Sequence, residues 1–509
     1  MNAKVIGIFL LLVVLCLFLA FNTDGAFLKG NNIENLIRRT SMYGILGIGV
    51  AFVIITSGID LSIGSIVCLS GCLLAIFLRV DYEPLVGHEI VQVKAAAKQI
   101  LLAPNVDAFE PGDTIRYYGG RRARTAVVTI DSVKQTTVQM GTAERPIERD
   151  VTQLTVSDPL SRNDTDGNVA LMYPISSSEQ ANSAESPQIT ISGTHALAAR
   201  DRVMLVSGSQ LKELQIIAAK VDGASTTLTL NNPTGDLDDS WMVIPLERRQ
   251  RCSIPVAVSL VVGTAAFLGL LHGVLITRLR LPPFIVTLCG LLVYRSLSRW
   301  MVNDKTMGFG TEFSESLSLL GSGKIQVWQS ADGADSFGIP YPFFVFLITA
   351  IVAAIFLNKT IWGRYTLALG RNEDAARYSG IDTGKITVIS YVICAVLAGI
   401  GGMLFALDSN SVMPSTFGNV FELYAIAAAV LGGCSLRGGE GGILGVVIGT
   451  ALMQTLYNLI VLMRISDTLE LAVIGTVILV GVVADEVVRR VVAKRRAADQ
   501  AKRQMAAAA

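Results

Sequence analysis

The stretch GRYTLALGRNEDAARYSGI, residues 363–381, carries charged and helix-forming residues between two apolar runs at residues 343–358 and 386–406. A connection between membrane spans needs only a short turn, so its length and composition predict a segment that docks onto a partner. The alternative is a solvated loop with ordinary helix caps. Its arginines are Arg364, Arg371 and Arg377. Because Lys and Arg are enriched on the cytoplasmic side of membrane proteins, we expect this loop and its partner to be cytoplasmic.

A short helix is predicted inside this loop, from Glu373 to Ser379. Asn372 is a good N-cap, acidic residues follow in the first turn where the helix dipole favours them, and Gly380 is a typical C-terminal stop. Small alanines would let a partner approach closely. The predicted docking residues, within a loop at 359–385, are Arg371, Asn372, Glu373, Asp374, Ala375, Ala376, Arg377, Ser379 and Gly380.

The composition of the 509-residue chain, 51% hydrophobic and 16% charged, is too apolar for an ordinary soluble enzyme and indicates an integral membrane protein. A net charge of +1 argues against nucleic acid as a general partner, since binding phosphates needs a concentrated basic surface. The seven cysteines have neither metal-ligand spacing nor the density of a disulfide scaffold, and the three histidines are scattered. We expect no metal site.

Ten apolar segments are candidate membrane spans. They lie at about 5–22, 41–57, 61–79, 253–277, 282–302, 343–358, 386–406, 421–434, 443–463 and 468–487. Several are shorter than the roughly 20 residues that cross a bilayer, and glycines interrupt them, which predicts broken helices that line a cavity. We expect an α-helical polytopic membrane protein with three spans in residues 1–80, seven in residues 251–488, and a basic tail at 489–509.

The distribution of basic residues predicts the orientation. With the N-terminus inside, an even number of spans returns the C-terminus to the cytoplasm, in agreement with the basic tail. Arg278, Arg280 and Arg437 then fall on cytoplasmic turns as well. Arg38 and Arg39 fall on the outer side, and we expect them on an interfacial helix that starts near Asn32.

Residues 81–250 form a polar insert, in which strand-like runs alternate apolar and polar residues between Gly, Asp and Asn turns. This pattern predicts an all-β domain, on the extracytoplasmic side by the span count. The insert also carries an apparent duplication, at about 104–170 and 192–248: the segment 113–133 matches 201–221, and Thr136–Met140 matches Thr226–Leu230 at a slightly larger offset. We expect two small, similar β-barrels or sandwiches, with chance similarity of two hairpins as the alternative.

Energy for transport has no evident source in this chain, because the nearest approach to a phosphate-binding loop, GSGKI at 321–325, lacks the required glycine and hydroxyl residue. Asp60 interrupts the second and third spans, and it either caps the third helix or contacts a ligand. Hydroxyls, amides and an aromatic ring at 408–419 suit a sugar, although an ordinary turn has the same composition. The candidate translocation-path residues are Ser57, Asp60, Ser62, Asn410, Phe417 and Glu422.

Glycines gather at the break near residue 60 and in the turn LGGCSLRGGEG at 431–441. A nucleotide-binding function is not expected there, because no strand precedes the turn and a membrane span follows it. Either a flexible gate or close helix packing accounts for the candidate residues, which are Gly58, Gly64, Gly432, Gly433, Gly438, Gly439 and Gly441.

Four motifs together resemble the permease subunits of bacterial ribose-type ABC importers. They are SGIDLSIGS at 57–65, PFIVTL at 283–288, GRNEDAARYSGI at 370–381 and LGGCSLRGGEG at 431–441. The resemblance covers residues 1–80 and 253–487, and it implies a multi-pass protein of the bacterial inner membrane that moves a monosaccharide by alternating access. In that family the segment matching Asn372–Ile381 is the coupling helix that fits a groove on the ATPase.

The resemblance also implies the partners: two cytoplasmic ATPase subunits that hold ATP and Mg, a second permease copy in a homodimer, an extracytoplasmic sugar-binding protein and membrane lipid. No cofactor is expected in this chain and no enzymatic activity of its own. The insert departs from the family, whose members join these spans by a short outer loop. A membrane-anchored scaffold or receptor, whose extracytoplasmic β domain binds a partner, is the alternative function.

Overall fold

The computed structural model describes residues 3–469 except 86, 105, 120–123, 143–144, 159, 161–166, 180–186, 196, 208–209, 233–236, 238–240, 311, 314–315 and 332–334, together with 472–473, 475–476, 479 and 483. The chain divides into two compact units. One comprises Met1–Arg79 and Cys252–Ala509, and the other is Val80–Arg251. The basic tail at 489–509 and most of the predicted span at 468–487 lie outside the described residues.

The first unit is helical. Its helices are α1 (Ala3–Asn22), α2 (Gly30–Ile55), α3 (Ile63–Phe77), α4 (Ile254–Arg278), α5 (Pro283–Met301), α6 (Leu319–Ser322), α7 (Tyr341–Lys359), α8 (Ile361–Arg371), α9 (Glu373–Tyr378), α10 (Thr383–Asp408), α11 (Phe421–Leu431) and α12 (Ile443–Leu462). Six of those described, α1, α2, α4, α7, α10 and α12, are long and apolar enough to cross a membrane, whereas α3 and α11 are shorter apolar helices. The protein is thus a helical membrane protein with a β insert, and the total of ten spans stays a prediction.

Small residues bring α10 against its neighbours in the centre of this unit. A Cβ atom on Gly269 of α4 would lie 2.6 Å from the carbonyl oxygen of Tyr391, and one on Gly402 of α10 would lie 2.5 Å from that of Val67. Such close approach strengthens van der Waals packing between apolar helices, for which lipid offers no hydrophobic driving force.

The helix expected to start near Asn32 is the first part of α2, which begins at Gly30 and runs without interruption into the predicted second span. Its interfacial position stays a prediction. Arg38 lies inside α2 and is paired with Glu34 at 2.7 Å and with Asp408 at 3.6 Å. The guanidinium of Arg39 lies 5.5 Å from the ring centre of Tyr457. Two carboxylates thus neutralise the charge of Arg38, as a charge held near apolar helices requires, whereas Arg39 is exposed.

The second unit is antiparallel β. Its strands are β1 (Val80–Pro84), β2 (Gly87–Lys94), β3 (Gln99–Leu102), β4 (Thr114–Gly119), β5 (Arg124–Thr142), β6 (Arg145–Val156), β7 (Gly167–Glu179), β8 (Gln188–Ser192), β9 (Arg202–Ser207), β10 (Gln210–Asp222), β11 (Ser225–Leu230) and β12 (Met242–Gln250). The order β2-β3-β6-β5-β4-β7 closes on β2, and the order β7-β8-β11-β10-β9-β12 closes on β7. The long strand β7 therefore belongs to two barrels in turn.

The two barrels repeat one pairing scheme. A β-bulge interrupts the β5–β6 pairing at Ile130/Ser132, and its counterpart interrupts the β10–β11 pairing at Ile216/Ala218. In the third strand of each barrel, a buried threonine hydroxyl accepts a hydrogen bond from a loop amide. Thr152 of β6 accepts from Val106 at 3.1 Å, and Thr226 of β11 accepts from His195 at 3.0 Å. Each barrel encloses its own apolar core.

The structural equivalence between the two barrels differs from the internal sequence alignment in one hairpin. Leu154 of β6 pairs with Ile100 as Leu228 of β11 pairs with Ile189. The segment at 136–140, which the sequence matched to 226–230, instead continues the 19-residue strand β5. The first barrel has the longer hairpin, and the alternation of apolar and polar residues along it hides the shift in register.

The described part of the helical unit also contains four strands. They form two antiparallel pairs, β13 (Met307–Gly308) with β16 (Ser411–Val412), and β14 (Lys324–Gln329) with β15 (Ser336–Pro340). The turn before β15 carries Asp335, whose carboxylate accepts the amides of Gly30 at 2.9 Å and Asn31 at 3.1 Å. These bonds lower the pKa of Asp335 and cap the N-terminus of α2.

We predict that the β unit folds alone and can be excised. Its first and last strands pair from Val80 with Gln250, and in the helical unit the amide of Cys252 donates to Phe77 at 3.1 Å, so a short Gly-Ser linker can replace the insert. A fragment of residues 80–251 should be a soluble monomer with a cooperative thermal transition, because closed barrels leave no open edge. Circular dichroism and gel filtration check this.

A fragment that ends at residue 160 is the matched control, because it lacks β7 and cannot close the first barrel. It should aggregate or remain unfolded. Aggregation of the 80–251 fragment, or failure of the excised chain to insert into membranes, would contradict the independence of the two units.

Candidate functional site

The segment singled out in the sequence forms α8 and α9, joined at Asn372. The side chain of Asn372 caps α9 by accepting from the amide of Ala375 at 2.9 Å, while its own N–H donates to Ala368 at 3.2 Å. The helix ends at Tyr378, and Gly380 follows two residues later with a φ of 81°. The cap and stop that the sequence predicts are therefore present, and α9 forms a short peg at the end of α8.

Nearly all of this peg is exposed. Among residues 371–380 only Ala376 is buried, and Tyr378 is 91% exposed. Glu373 and Arg377 form an exposed ion pair at 2.7 Å. Asp382 caps the next helix, α10, and its hydrogen bond from the amide of Lys385 lowers its pKa. A segment with rigid ends and an exposed surface can transmit a displacement applied to it.

Just before α9, three backbone segments meet in a contact here called the glycine junction. It comprises Ile55 and Ser57 at the end of α2, Gly370 in α8, and Arg437 and Gly439 in the turn after α11. The amide of Gly439 donates to the carbonyl of Ile55 at 2.8 Å. The hydroxyl of Ser57 lies 3.2 Å from the carbonyl of Gly370 and 3.0 Å from that of Arg437. The junction thus joins α8 directly to the break between α2 and α3.

Glycine is required at this junction for two physical reasons. A Cβ atom on Gly370 would overlap the carbonyl oxygen of Ile55 and the amide of Gly439. Gly438 and Gly439 have φ values of 82° and 71°, a region that residues with a Cβ rarely adopt. The turn is fixed by close backbone approach.

The second site lies where α3 and α11 begin. Oδ1 of Asp60 accepts from the amide of Ser62 at 2.9 Å and from its hydroxyl at 2.6 Å, and both residues are buried. A Cβ atom on Gly64 would overlap the carboxylate of Glu422 and the carbonyl of Gly418. Two short helices of 15 and 11 residues therefore meet at their N-termini, which suits an anionic or polar group.

The other candidate path residues divide between two places. Phe417 precedes α11, with its ring 6.5 Å from that of Phe421, and its carbonyl accepts from Arg295 of α5. Asn410 instead adjoins the β13–β16 pair and donates to Gly310 at 3.1 Å. Asp60, Ser62, Phe417 and Glu422 thus lie together, whereas Ser57 belongs to the glycine junction and Asn410 lies elsewhere.

The remaining candidate glycines lie at tight contacts, with one exception. A Cβ atom on Gly58 would lie 2.7 Å from the hydroxyl of Tyr391, and one on Gly441 would lie 2.8 Å from the sulfur of Cys434. Gly432 meets Gly445 of α12, where a Cβ would lie 2.5 Å from the carbonyl oxygen. These contacts favour close helix packing over a flexible gate as the reason for the glycines. Gly433, with a φ of 89°, faces open space.

Sequence reasoning missed a buried polar group beside Asp60. His272 of α4 lies 2.8 Å from the hydroxyl of Tyr294 on α5, and the hydroxyl of Tyr391 donates to the carbonyl of Ile59 at 3.3 Å. Thr287 of α5 reaches the same carbonyl at 3.3 Å. The available signal was a single ionisable side chain inside an apolar span, which is costly without a function or a partner.

Comparison with known proteins agrees with this architecture. The family model of the branched-chain amino acid transport system permease component matches residues 218–482, just over half of the chain. The ribose import permease protein of Escherichia coli (strain K12) is 36% identical over 230 residues, which are 45% of this chain and 68% of that protein. The L-arabinose transport system permease protein of the same strain is 34% identical over 214 residues, 42% and 61% of the two chains.

The xylose transport system permease protein of Haemophilus influenzae is 27% identical over 321 residues, covering 53% of this chain and 82% of that protein. No solved structure matches significantly. The protein is therefore a multi-pass membrane permease, the transport subunit of an ABC system. It belongs to the family of branched-chain amino acid transport system permease components, and these sugar permeases are among its relatives.

We predict that Gly370→Ala lowers the stability of the helical unit. The new methyl group would meet backbone atoms that cannot rotate away, and overpacking of this kind costs about 1–3 kcal/mol. Gly263→Ala is the matched control, since Gly263 lies in α4 with no atom within 4 Å of its Cβ position. In thermal unfolding of the purified protein, the first variant should melt earlier and the second should not. Equal midpoints would contradict the steric account of the junction.

Proposed function

We propose that this chain is the translocation subunit of an inner-membrane ABC importer that carries a monosaccharide of the ribose, arabinose or xylose kind. The names of its relatives support the substrate class. The glycine junction carries the mechanistic part of the proposal, because it joins an exposed docking peg to the break that precedes Asp60.

The energy would come from a separate ATPase subunit that binds ATP and Mg. The peg α9 is the contact for that subunit in our proposal, since its side chains are exposed while its caps hold its shape. The arginines around it favour a cytoplasmic location. Both chain termini would then be cytoplasmic as well.

Alternating access follows from the connections of α9. When the ATPase moves α9, α8 moves with it, and the bond between Ser57 and Gly370 carries that displacement to the segment before Asp60. The N-termini of α3 and α11, with Asp60, Ser62, Phe417 and Glu422 around them, would open to one side and then to the other. Polar groups at short-helix N-termini are typical of transporter binding sites.

Further partners follow from the same class. We propose a homodimer of this chain and an extracytoplasmic sugar-binding protein that delivers the substrate. The β unit would lie on the extracytoplasmic side and dock the binding protein or a neighbouring envelope component.

We predict that protease added to intact spheroplasts cleaves the β unit, because this location exposes it to the medium. Cleavage only after the membrane is opened would refute the location.

We predict that replacing both Glu373 and Arg377 with Ala uncouples the transporter. In proteoliposomes that contain the whole importer, sugar uptake should fall about tenfold or more, the effect of losing roughly 1.4 kcal/mol at a central contact. The fold should survive, because an exposed ion pair contributes little to stability. Uptake and ATP hydrolysis are measured on the same vesicles.

The double replacement of Lys220 and Asp222 with Ala is the matched control. These residues form an exposed ion pair at 2.9 Å in the β unit. Their loss should leave the ratio of uptake to hydrolysis unchanged. Unchanged uptake in the Glu373 and Arg377 variant would refute the docking role of α9.

A further inference from the structure

Two buried polar atoms near the meeting point of α3 and α11 lack hydrogen-bond partners among the residues that the structure describes. They are Oδ2 of Asp60 and Nδ1 of His272. Each residue is 1% exposed. Because nearly all buried polar atoms in proteins are hydrogen-bonded, two orphans in one region point to a polar group that binds there.

The two side chains belong to one cluster. The ring of His272 stacks on Tyr294 at 5.5 Å and meets Tyr391 edge-on at 6.4 Å. Tyr391 in turn donates to Ile59, the residue before Asp60, and Asp60 acts electrostatically on His272, Tyr294 and Tyr391. Residues from α4, α5 and α10 thus surround the carboxylate at the start of α3.

Hydrogen bonding assigns the role of each orphan atom. The hydroxyl of Tyr294 lies 2.8 Å from Nε2 of His272. A buried hydroxyl needs an acceptor for its proton, so we assign the donor role in this bond to Tyr294 and the imidazole proton to Nδ1. The carboxylate of Asp60 accepts at Oδ1 from Ser62, and Oδ2 is a second acceptor, with the thiol of Cys394 as a weak donor nearby. The cluster therefore presents one unused donor and one unused acceptor, and a hydroxyl group both donates and accepts.

We propose that Asp60 and His272 bind a hydroxyl group, with Nδ1 of His272 donating to it and Oδ2 of Asp60 accepting from it. The hydroxyl belongs to the transported sugar or to an ordered water that holds the site between transport cycles. The sugar source rests on the proposed function, whereas the water source does not. Tyr294 is a positioning residue, since it fixes the tautomer of His272.

A map of the assembled importer tests the site directly, because it shows whether a bound group lies beside the two orphan atoms. Cryo-electron microscopy of the whole transporter, without sugar and with D-ribose, L-arabinose or D-xylose, should show density within hydrogen-bond distance of both orphan atoms. Density continuous with a sugar ring identifies the sugar hydroxyl. A discrete feature present in every map identifies water.

Variants at His272 separate the proposed role from a structural one. An asparagine amide reaches the position of Nδ1, whereas a glutamine amide reaches that of Nε2. His272→Asn should therefore keep most uptake, while His272→Gln and Asp60→Asn should lose about tenfold or more, as expected for a hydrogen bond to a charged group. Ser41→Ala is the control, because Ser41 is buried in α2 and its hydroxyl donates to the carbonyl of Ile37 in the same helix.

The outcomes are distinct. Absence of density in every map, with His272→Gln as active as His272→Asn, would overturn the hydroxyl site. Failure of the wild-type importer to take up any of the three sugars, with water density still present, would refute the proposed sugar function and leave the site standing.

Discussion

A backbone contact at the glycine junction holds three segments of the helical unit together. The carbonyl of Ile55 accepts from Gly439, and a Cβ atom on Gly370 would overlap that same carbonyl. Three chain segments far apart in sequence therefore converge on one peptide group. Because these backbone atoms cannot change rotamer, they hold α8 close to Ser57, and the hydroxyl of Ser57 then links the two segments.

This constraint links the two candidate sites. Ser57 contacts α8 on one side and lies three residues before Asp60 on the other. Our central proposal is that motion of α9 reaches the start of α3 through this short path. Access would change where α3 and α11 meet at Gly64 and Glu422. Neither of these short helices is long enough to span the membrane alone.

Local signals made part of this structure predictable. The cap at Asn372, the stop at Gly380, the apolar helices and the alternating strands of the insert depend on residues close in sequence. Long-range features were not predictable. Arg38 looked like a topological anomaly, because its partner Asp408 lies in another helix. His272 looked isolated, since Tyr294 reaches it only when α4 and α5 pack together.

The alignment of the first barrel with the second shows the same limit. The alternating pattern of β11 matches the last part of β5 as well as the last part of β6. The pairing of Leu154 with Ile100, which repeats that of Leu228 with Ile189, shows that β6 is the true counterpart of β11. The shared strand β7 was also hidden, because one continuous run of residues gives no sign of where it leaves the first barrel.

Hydrogen exchange in the assembled importer tests the central proposal most directly. Exchange is compared with and without ATP at residues 372–380 and 56–62, in the wild type and in Ser57→Ala. The account predicts that ATP changes exchange in both segments of the wild type, and that Ser57→Ala keeps the change at 372–380 but loses it at 56–62. A wild-type response at 56–62 in Ser57→Ala would contradict transmission through the glycine junction.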